Sequence, residues 1–436
     1  MCTADNDSAK PPILDYGQAP PAPDLILDKV PPKRELRNTM TLIGWGMFVT
    51  TFAQTLVIGK LPLQILLKDR LLLGAESIAL FMNVAVFAWN LKPVAGLLSD
   101  SVPLFGSRRR NYLVLSSLLA GGGWLLMGVV PRTYWPLLLF GVILNIGAMA
   151  ASTVTGGLLV DAGQRYGATG RLSSWRMAAM NIASLAAGPL GGVLASMAFG
   201  WTALISGVLF LSLAPITMML LSEPRANQTQ GALRAAGRQL VGLFRSPTLL
   251  AAAAMLFFVQ LAPGFTTPLL FWREDKLHFS TAFMGTLDMV NYGFGLLASI
   301  IYVVACRRMT LKPLLFWAVI LWAVTSFLYL GYYSHKSAMA IEAAAGLTFA
   351  LAQLPLFDLA ARATPKGSEA LAYSLMMAVW NISQSISDVV GSWLFARCHI
   401  PFMHLIWING ATTLLAVIVI PFLPQRLVSQ REGDRT

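Results

Sequence analysis

About twelve apolar runs of roughly 20 residues follow one another along the chain, and a helix of that length crosses a hydrocarbon core of about 30 Å. They fall near 40–66, 77–100, 111–130, 134–160, 174–198, 201–222, 248–272, 280–304, 312–333, 338–361, 369–396 and 402–423. Lipid offers backbone N–H and C=O groups no partners, so only helices and closed barrels span it, and runs this long are helical ones. The expected fold is an all-α membrane protein with twelve transmembrane helices. Composition agrees: 56% of residues are hydrophobic and 12% charged, with a mean hydropathy of +0.64.

The net charge of +12 does not signal nucleic acid, because the basic residues sit at run ends and form no soluble face. They sort by side. With the N-terminus inside, inner segments hold Lys29, Lys33, Arg34, Arg37, Arg108 to Arg110, Arg165, Arg171, Arg225, Arg234, Arg238, Arg245, Arg307, Arg308, Lys312, Arg362, Lys366 and the C-terminal arginines. Outer segments keep only Lys60, Lys68, Arg70, Arg132, Arg273, Lys276, Lys336 and Arg397. The positive-inside rule then predicts a multi-pass protein of the cytoplasmic membrane with both termini in the cytoplasm. Cys2, Cys306 and Cys398 are too scattered for a disulfide or metal framework. GxxxxGK[ST], HExxH and GxSxG are all missing. Neither an enzyme nor a cofactor is expected.

The runs divide the chain into a proline-rich, disordered cytoplasmic tail over 1–38, a six-helix half over 39–222, a linker over 223–247, a second six-helix half over 248–423 and a cytoplasmic tail over 424–436. In the linker Leu233, Leu240, Val241 and Phe244 alternate with Arg234, Arg238 and Arg245, the pattern of an amphipathic basic helix on a bilayer surface. The halves echo each other weakly. GLLASIIYVVACRR, Gly295 to Arg308, repeats the GLLSD and arginine cluster of Gly96 to Arg110, with Ser299 standing where the first copy has Asp100. A repeat of this kind predicts two pseudo-symmetric halves.

Charges inside spans are the candidate functional residues, since each costs about 2.5–3.5 kcal/mol at the bilayer centre on insertion scales. Lys92 sits within the second run and either faces a polar cavity or snorkels to the interface. Gln54 is the candidate cavity residue of the first run. Asp288, Asn291 and Tyr292 share one face of the eighth run with Gly295, and Asn381, Gln384, Ser385 and Asp388 share one of the eleventh. These stripes line either a water-filled cavity or an interhelical hydrogen-bond network. Lys92, Gln54, Asn291, Tyr292, Asn381 and Gln384 are the expected solute contacts. Asp288 and Asp388 are candidates for carrying a coupled proton, because desolvation favours the neutral acid. Asp161 with Arg165 either bonds across the cytoplasmic mouth toward Asp100 as part of an inner gate or belongs to a plain solvated loop, and Asp358 with Arg362 is either a structural pair or part of that gate, both pairs standing at i,i+4. Arg176, one turn into the fifth run, meets either an anionic group of the solute or Asp161, and pairing with Asp161 is the expectation.

The stretch KPVAGLLSDSVPLFGSRRRNYL, Lys92 to Leu113, resembles the signature between the second and third spans of the folate-biopterin transporter family of the major facilitator superfamily. FWREDKLHFSTAFMGTLDMV, Phe271 to Val290, and LAARATPKGSEALAYSLMMAVWN, Leu359 to Asn381, resemble that family's later segments. The resemblance implies the major facilitator fold, alternating access between two halves, and an inner gate at Gly96, Asp100, Arg108, Arg109 and Arg110. It also singles out Lys92. Gly156 and the Asp161–Ala162 pair depart from acidic and Glu-Arg positions of the family, which leaves the solute open between a folate- or pterin-like molecule and another organic acid. The expected function is secondary active, proton-coupled transport of a small anionic organic solute by a monomer embedded in the lipid bilayer. The alternative is a non-transporting assembly or pigment and cofactor delivery protein on the same fold.

Overall fold

A computed structural model of the chain describes residues 33–73, 75–223, 237 and 240–432. The tail through position 32 and the linker positions Leu233, Arg234 and Arg238 lie outside the described residues. Within them the expected twelve spans are found, in two six-helix halves. The unbroken spans are the third (Arg110–Val129), fourth (Tyr134–Arg165), fifth (Thr169–Ala195), sixth (Phe199–Leu220), eighth (Thr281–Arg308), tenth (His335–Ala363) and eleventh (Glu369–Ala396). The ninth (Leu311–Leu328) and twelfth (Phe402–Leu415) each finish in a 3₁₀ turn, and the second runs as Ala75–Val86, a 3₁₀ turn, and Lys92–Ser101. Among the described residues nine helices are long and apolar enough to cross a membrane. The eleventh falls short because of its polar stripe, and the first and seventh because they are broken.

Those two breaks match. The first span runs Lys33–Phe52, leaves the helix, and resumes as a six-residue helix, Lys60–Ile65, followed by a five-residue π-turn, Leu66–Arg70. The seventh runs Pro247–Gln260, breaks, and resumes as a six-residue helix, Thr266–Phe271, and a five-residue π-turn, Trp272–Lys276. Pro62 and Pro268 each hold the third position of the short helix, and Leu72 and His278 beyond the π-turns both take left-handed backbone, at φ 53 and 51. The sequence repeat noted around Gly295 thus extends to a second, stronger pair of elements.

A break in lipid leaves backbone groups that other spans have to satisfy. Trp124 of the third span donates its indole N–H to the Ala53 carbonyl at 2.9 Å. At the seventh-span break the Ser387 hydroxyl donates to Ala262 O, Asn409 donates to Pro263 O at 2.8 Å, and Gly264 N donates to Ser387 O at 2.8 Å. That traffic requires the eleventh span to lie against bare backbone, and Gly391 makes the approach possible: a Cβ there would strike the Gly264 backbone, within 2.6 Å of its carbonyl carbon. Gly188, in the AAGPLGG stretch of the fifth span, faces open space by contrast.

Gly391→Ala is therefore expected to destabilise the protein by about 1–3 kcal/mol through overpacking. Gly188→Ala leaves stability unchanged or raises it by up to about 1 kcal/mol. Thermal unfolding of the two purified variants followed by tryptophan fluorescence separates these outcomes.

Candidate functional site

Three polar clusters are built by this frame. The first joins the halves at the arginine-rich end. The second span ends there at Asp100, and a tight turn through Gly106, at φ 78, brings the chain back to start the third span. Arg109 is buried between two carboxylates, 3.5 Å from Asp100 of its own half and 3.2 Å from Glu369 of the other. Asp100 also accepts the Leu371 backbone N–H at 2.8 Å, and Glu369 accepts that of Gly367 at 2.6 Å. Gly96, one turn before Asp100, lies so close to Ala370, Leu371 and Ser374 that a Cβ would come within 2.8 Å of all three. Beside this clamp Gln164 of the fourth span donates to Ala361 O and Thr364 O at 2.9 and 2.7 Å.

The three arginines of the motif have separate fates. Arg108 is exposed, Arg109 forms the clamp, and Arg110 contributes its backbone N–H to Glu223 at 3.2 Å. Glu223 also accepts from Arg109 N and from the Ser107 hydroxyl, placing a carboxylate at the N-terminus of the third span, where the helix dipole favours it.

The second cluster is cationic and lies within the spans, about two turns or more from the arginine-rich end. Lys92 begins the second helical piece of its span and sets its ammonium 4.7 Å from the Trp89 ring centroid. Trp89 is held by its indole N–H on Asn145 Oδ1 at 2.9 Å, and Asn145 in turn donates to Thr55 at 3.2 Å. Arg176 of the fifth span lies over Phe357 at 4.9 Å and Tyr373 at 5.9 Å, with Nη1 3.4 Å from the Tyr373 hydroxyl. Its Nε is buried without a partner. Lys92 and Arg176 repel each other, and among the described residues neither has a carboxylate within ion-pair distance.

The third cluster, at the opposite end of the second half, centres on Glu342 of the tenth span, which is 3% exposed. It pairs with Arg273 of the π-turn and accepts from Asn291 at 2.9 Å, Tyr329 at 3.1 Å and Tyr332 at 3.3 Å. Every charge in it is answered locally, as a buried pair requires.

Several expected residues are placed otherwise. Arg176 does not meet Asp161: it points inward between aromatic rings, whereas Asp161 is exposed at the end of the fourth span. Arg165 pairs with Glu35 of the first span at 3.2 Å and not with Asp161, since both i,i+4 partners are solvated there and Glu35 lies alongside. Asn291 is spent on Glu342. Asp388 caps the short helix of the broken seventh span, accepting Thr267 N at 3.0 Å and its hydroxyl at 2.7 Å. Gln54 sits at the first-span break and donates to Thr50 O at 2.6 Å. Asp288, Tyr292, Asn381 and Gln384 are exposed on helix faces. Asp358 and Arg362 do form their pair, through two bonds of 3.0 Å within the second half. Glu223, Glu342, Glu369 and Glu432 were missed. Glu369 carried a signal, being an acid directly after a proline–glycine loop and so at a helix start.

Residues 53–435 match the family described as the BT1 family. The chain is 27% identical to the folate-biopterin transporter of Synechocystis sp., over 92% of its own length and 86% of that protein's. It is 24% identical to probable folate-biopterin transporter 4 of Arabidopsis thaliana, over 75% and 83%. Its fold is that of the major facilitator superfamily: the human organic anion transporter MFSD10 aligns with a TM-score of 0.68 at 15% identity, over 88% of this chain and 99% of that one. The proton:xylose symporter XylE aligns at 0.66 and 16%, over 89% and 96%.

Because Arg109 alone of the three arginines is buried, the neighbours are expected to separate cleanly on mutation. Arg109→Ala leaves two buried carboxylates facing each other and lowers stability by about 3–5 kcal/mol. Arg108→Ala changes it by about 0.5 kcal/mol at most. Equal melting temperatures for the two variants would contradict the clamp.

Proposed function

The chain belongs to the BT1 family, and on that premise we propose that this membrane transporter carries an anionic folate- or pterin-like solute, bound at mid-membrane between its halves against Lys92 and Arg176. One observation carries the proposal: two cations at that depth have no carboxylate to answer them, while every other buried charge described above does. Leaving them so costs several kcal/mol, and an entering anion recovers that cost. The rings of Trp89, Phe357 and Tyr373 stand beside the two cations, and the half-buried Trp89 supports the stacking of a heteroaromatic ring there. The curated relatives are named for folate and biopterin transport.

The distribution of bonds between the halves supports a reading of alternating access. Asp100, Arg109, Gln164, Glu369 and Leu371 gather at the arginine-rich end, which the positive-inside rule makes cytoplasmic, so the structure corresponds to a state closed inside. Both termini are then cytoplasmic, in the cytoplasmic membrane, and a monomer contains the whole site. Opening the inner end means separating Arg109 from Glu369 and Asp100 from Leu371 N, and the solute has to compensate for those bonds with differential affinity. Proton coupling is assigned to Asp288, which has no ion-pair partner within the described residues and stands near Arg273 and Glu342. Asp388 is engaged in holding the broken span.

Lys92→Gln and Arg176→Gln are each expected to weaken folate or biopterin affinity at least about tenfold in proteoliposome uptake, the value of one charge-assisted contact. Unchanged affinity in both variants would remove the binding assignment. Asp288→Asn is expected to abolish stimulation of uptake by an inward proton gradient while solute exchange persists, whereas Asp388→Asn keeps the gradient response. The reverse pattern transfers coupling to Asp388.

A further inference from the structure

We propose that the C-terminal tail supplies the second half of the inner gate: Glu432 does for the fifth span what Asp100 does for the eleventh. This rests on the alternating-access reading above.

The two sites correspond residue by residue. The fifth and eleventh spans both begin at the arginine-rich end, at Thr169 and Glu369, each just after a left-handed glycine, Gly167 at φ 57 and Gly367 at φ 85. The N–H groups of such a first turn have no helical partner, and the dipole there favours an anion. In the eleventh span the third residue, Leu371, gives its N–H to Asp100 Oδ2 at 2.8 Å. In the fifth span the third residue, Arg171, gives its N–H to Glu432 Oε2 at 2.9 Å. Each bond crosses from one half to the other. Each has an arginine with it, Arg109 beside Asp100 and the side chain of Arg171 on Glu432.

Only the source of the carboxylate differs. Asp100 comes from the end of the second span. Its counterpart near the end of the eighth span is Ser299, whose hydroxyl turns back onto Gly295 O at 3.0 Å and reaches nothing in the other half. Glu432 arrives at the eighth span from the tail instead. Its backbone N–H bonds Cys306 O at 3.2 Å, and its carboxylate accepts from the Cys306 thiol at 2.9 Å. A Cβ at Gly170 would lie 2.6 Å from that carboxylate and 2.9 Å from the Cys306 Cβ, so the fifth and eighth spans meet with Glu432 between them.

The tail is also anchored. Asp358 holds Arg362 by two bonds, and Arg362 Nη1 donates to Gln430 O at 2.8 Å. This assigns a use to the Asp358–Arg362 pair, which touches only its own half: it positions the strand that carries the latch. The Glu432 side chain is 1% exposed. A solvated tail has no reason to bury a carboxylate, because the desolvation cost is met only by partners like these.

The test is the distance between the outer ends of the halves. Spin labels at Arg70→Cys and Lys276→Cys, exposed at the ends of the two π-turns, are placed in the full chain with Cys2 and Cys398 changed to Ser and the buried Cys306, a partner of Glu432, kept. Double electron–electron resonance in liposomes then reads the outward-open and inward-open populations. Glu432→Gln, and separately truncation after Ser429, are expected to lower their ratio about tenfold, the value of a lost charge-assisted bond. Asp100→Asn is expected to act in the same direction. If Asp100→Asn shifts the distribution and both tail variants leave it unchanged, the latch is overturned and alternating access stands. If none of the three shifts it, alternating access falls with the latch.

Discussion

Every backbone or charged group that this chain places in lipid has to find its partner within the protein, and the polar residues of its spans are distributed by that requirement. Trp124, Ser387 and Asn409 serve the two broken spans. Asp388 caps the short helix beyond the second break. Glu223 and Asp100 each answer the first turn of a helix, the one within a half and the other between halves. Once these obligations are met, what stands out is a site where they are not. Lys92 and Arg176 lie beside aromatic rings with no acid within ion-pair distance among the described residues, and the proposed anionic solute is what would complete them.

Much of the architecture was legible in sequence. Twelve apolar runs and the sidedness of arginine are one-dimensional signals, and lipid enforces them segment by segment. The stretch from Gly96 through Asp100 to the arginine cluster stood out as well, because its residues lie within one short segment, and the structure joins Asp100 and Arg109 there. The partners were not. Arg109 meets Glu369, 260 residues further along the chain, and Arg176 touches Tyr373, 197 residues further along. Periodicity says which residues share a helix face, but not which face meets a neighbour. Asp388 and Asp288 lie on similar stripes, yet one is drawn to the broken seventh span and the other is left exposed. Arg108 and Arg109 are adjacent and identical in type, and the turn through Gly106 alone decides which is buried.

The pseudo-symmetry of the halves runs through breaks, turns and helix starts more faithfully than through side chains. Pro62 and Pro268 keep their places, as do the left-handed residues after each π-turn. The acid that closes the eleventh span has been replaced by serine in the other copy. A duplicated fold preserves what backbone geometry dictates, because a break or a turn tolerates few alternatives. A carboxylate has only to arrive, and any segment that reaches the helix start can bring it.

The matched breaks also bear on how the halves move. A continuous helix transmits a tilt along its length, and bending it means breaking its own ladder. In the first and seventh spans the ladder is already interrupted and freed carbonyls are held by the side chains of Trp124, Ser387 and Asn409. Under the alternating-access proposal the outer pieces, Lys60–Arg70 and Thr266–Lys276, are placed to serve as short levers held at Trp124, Ser387 and Asn409. On that proposal a tilt of either short piece would leave the longer helices behind it in place, so that one end could open while the bonds at the other end hold.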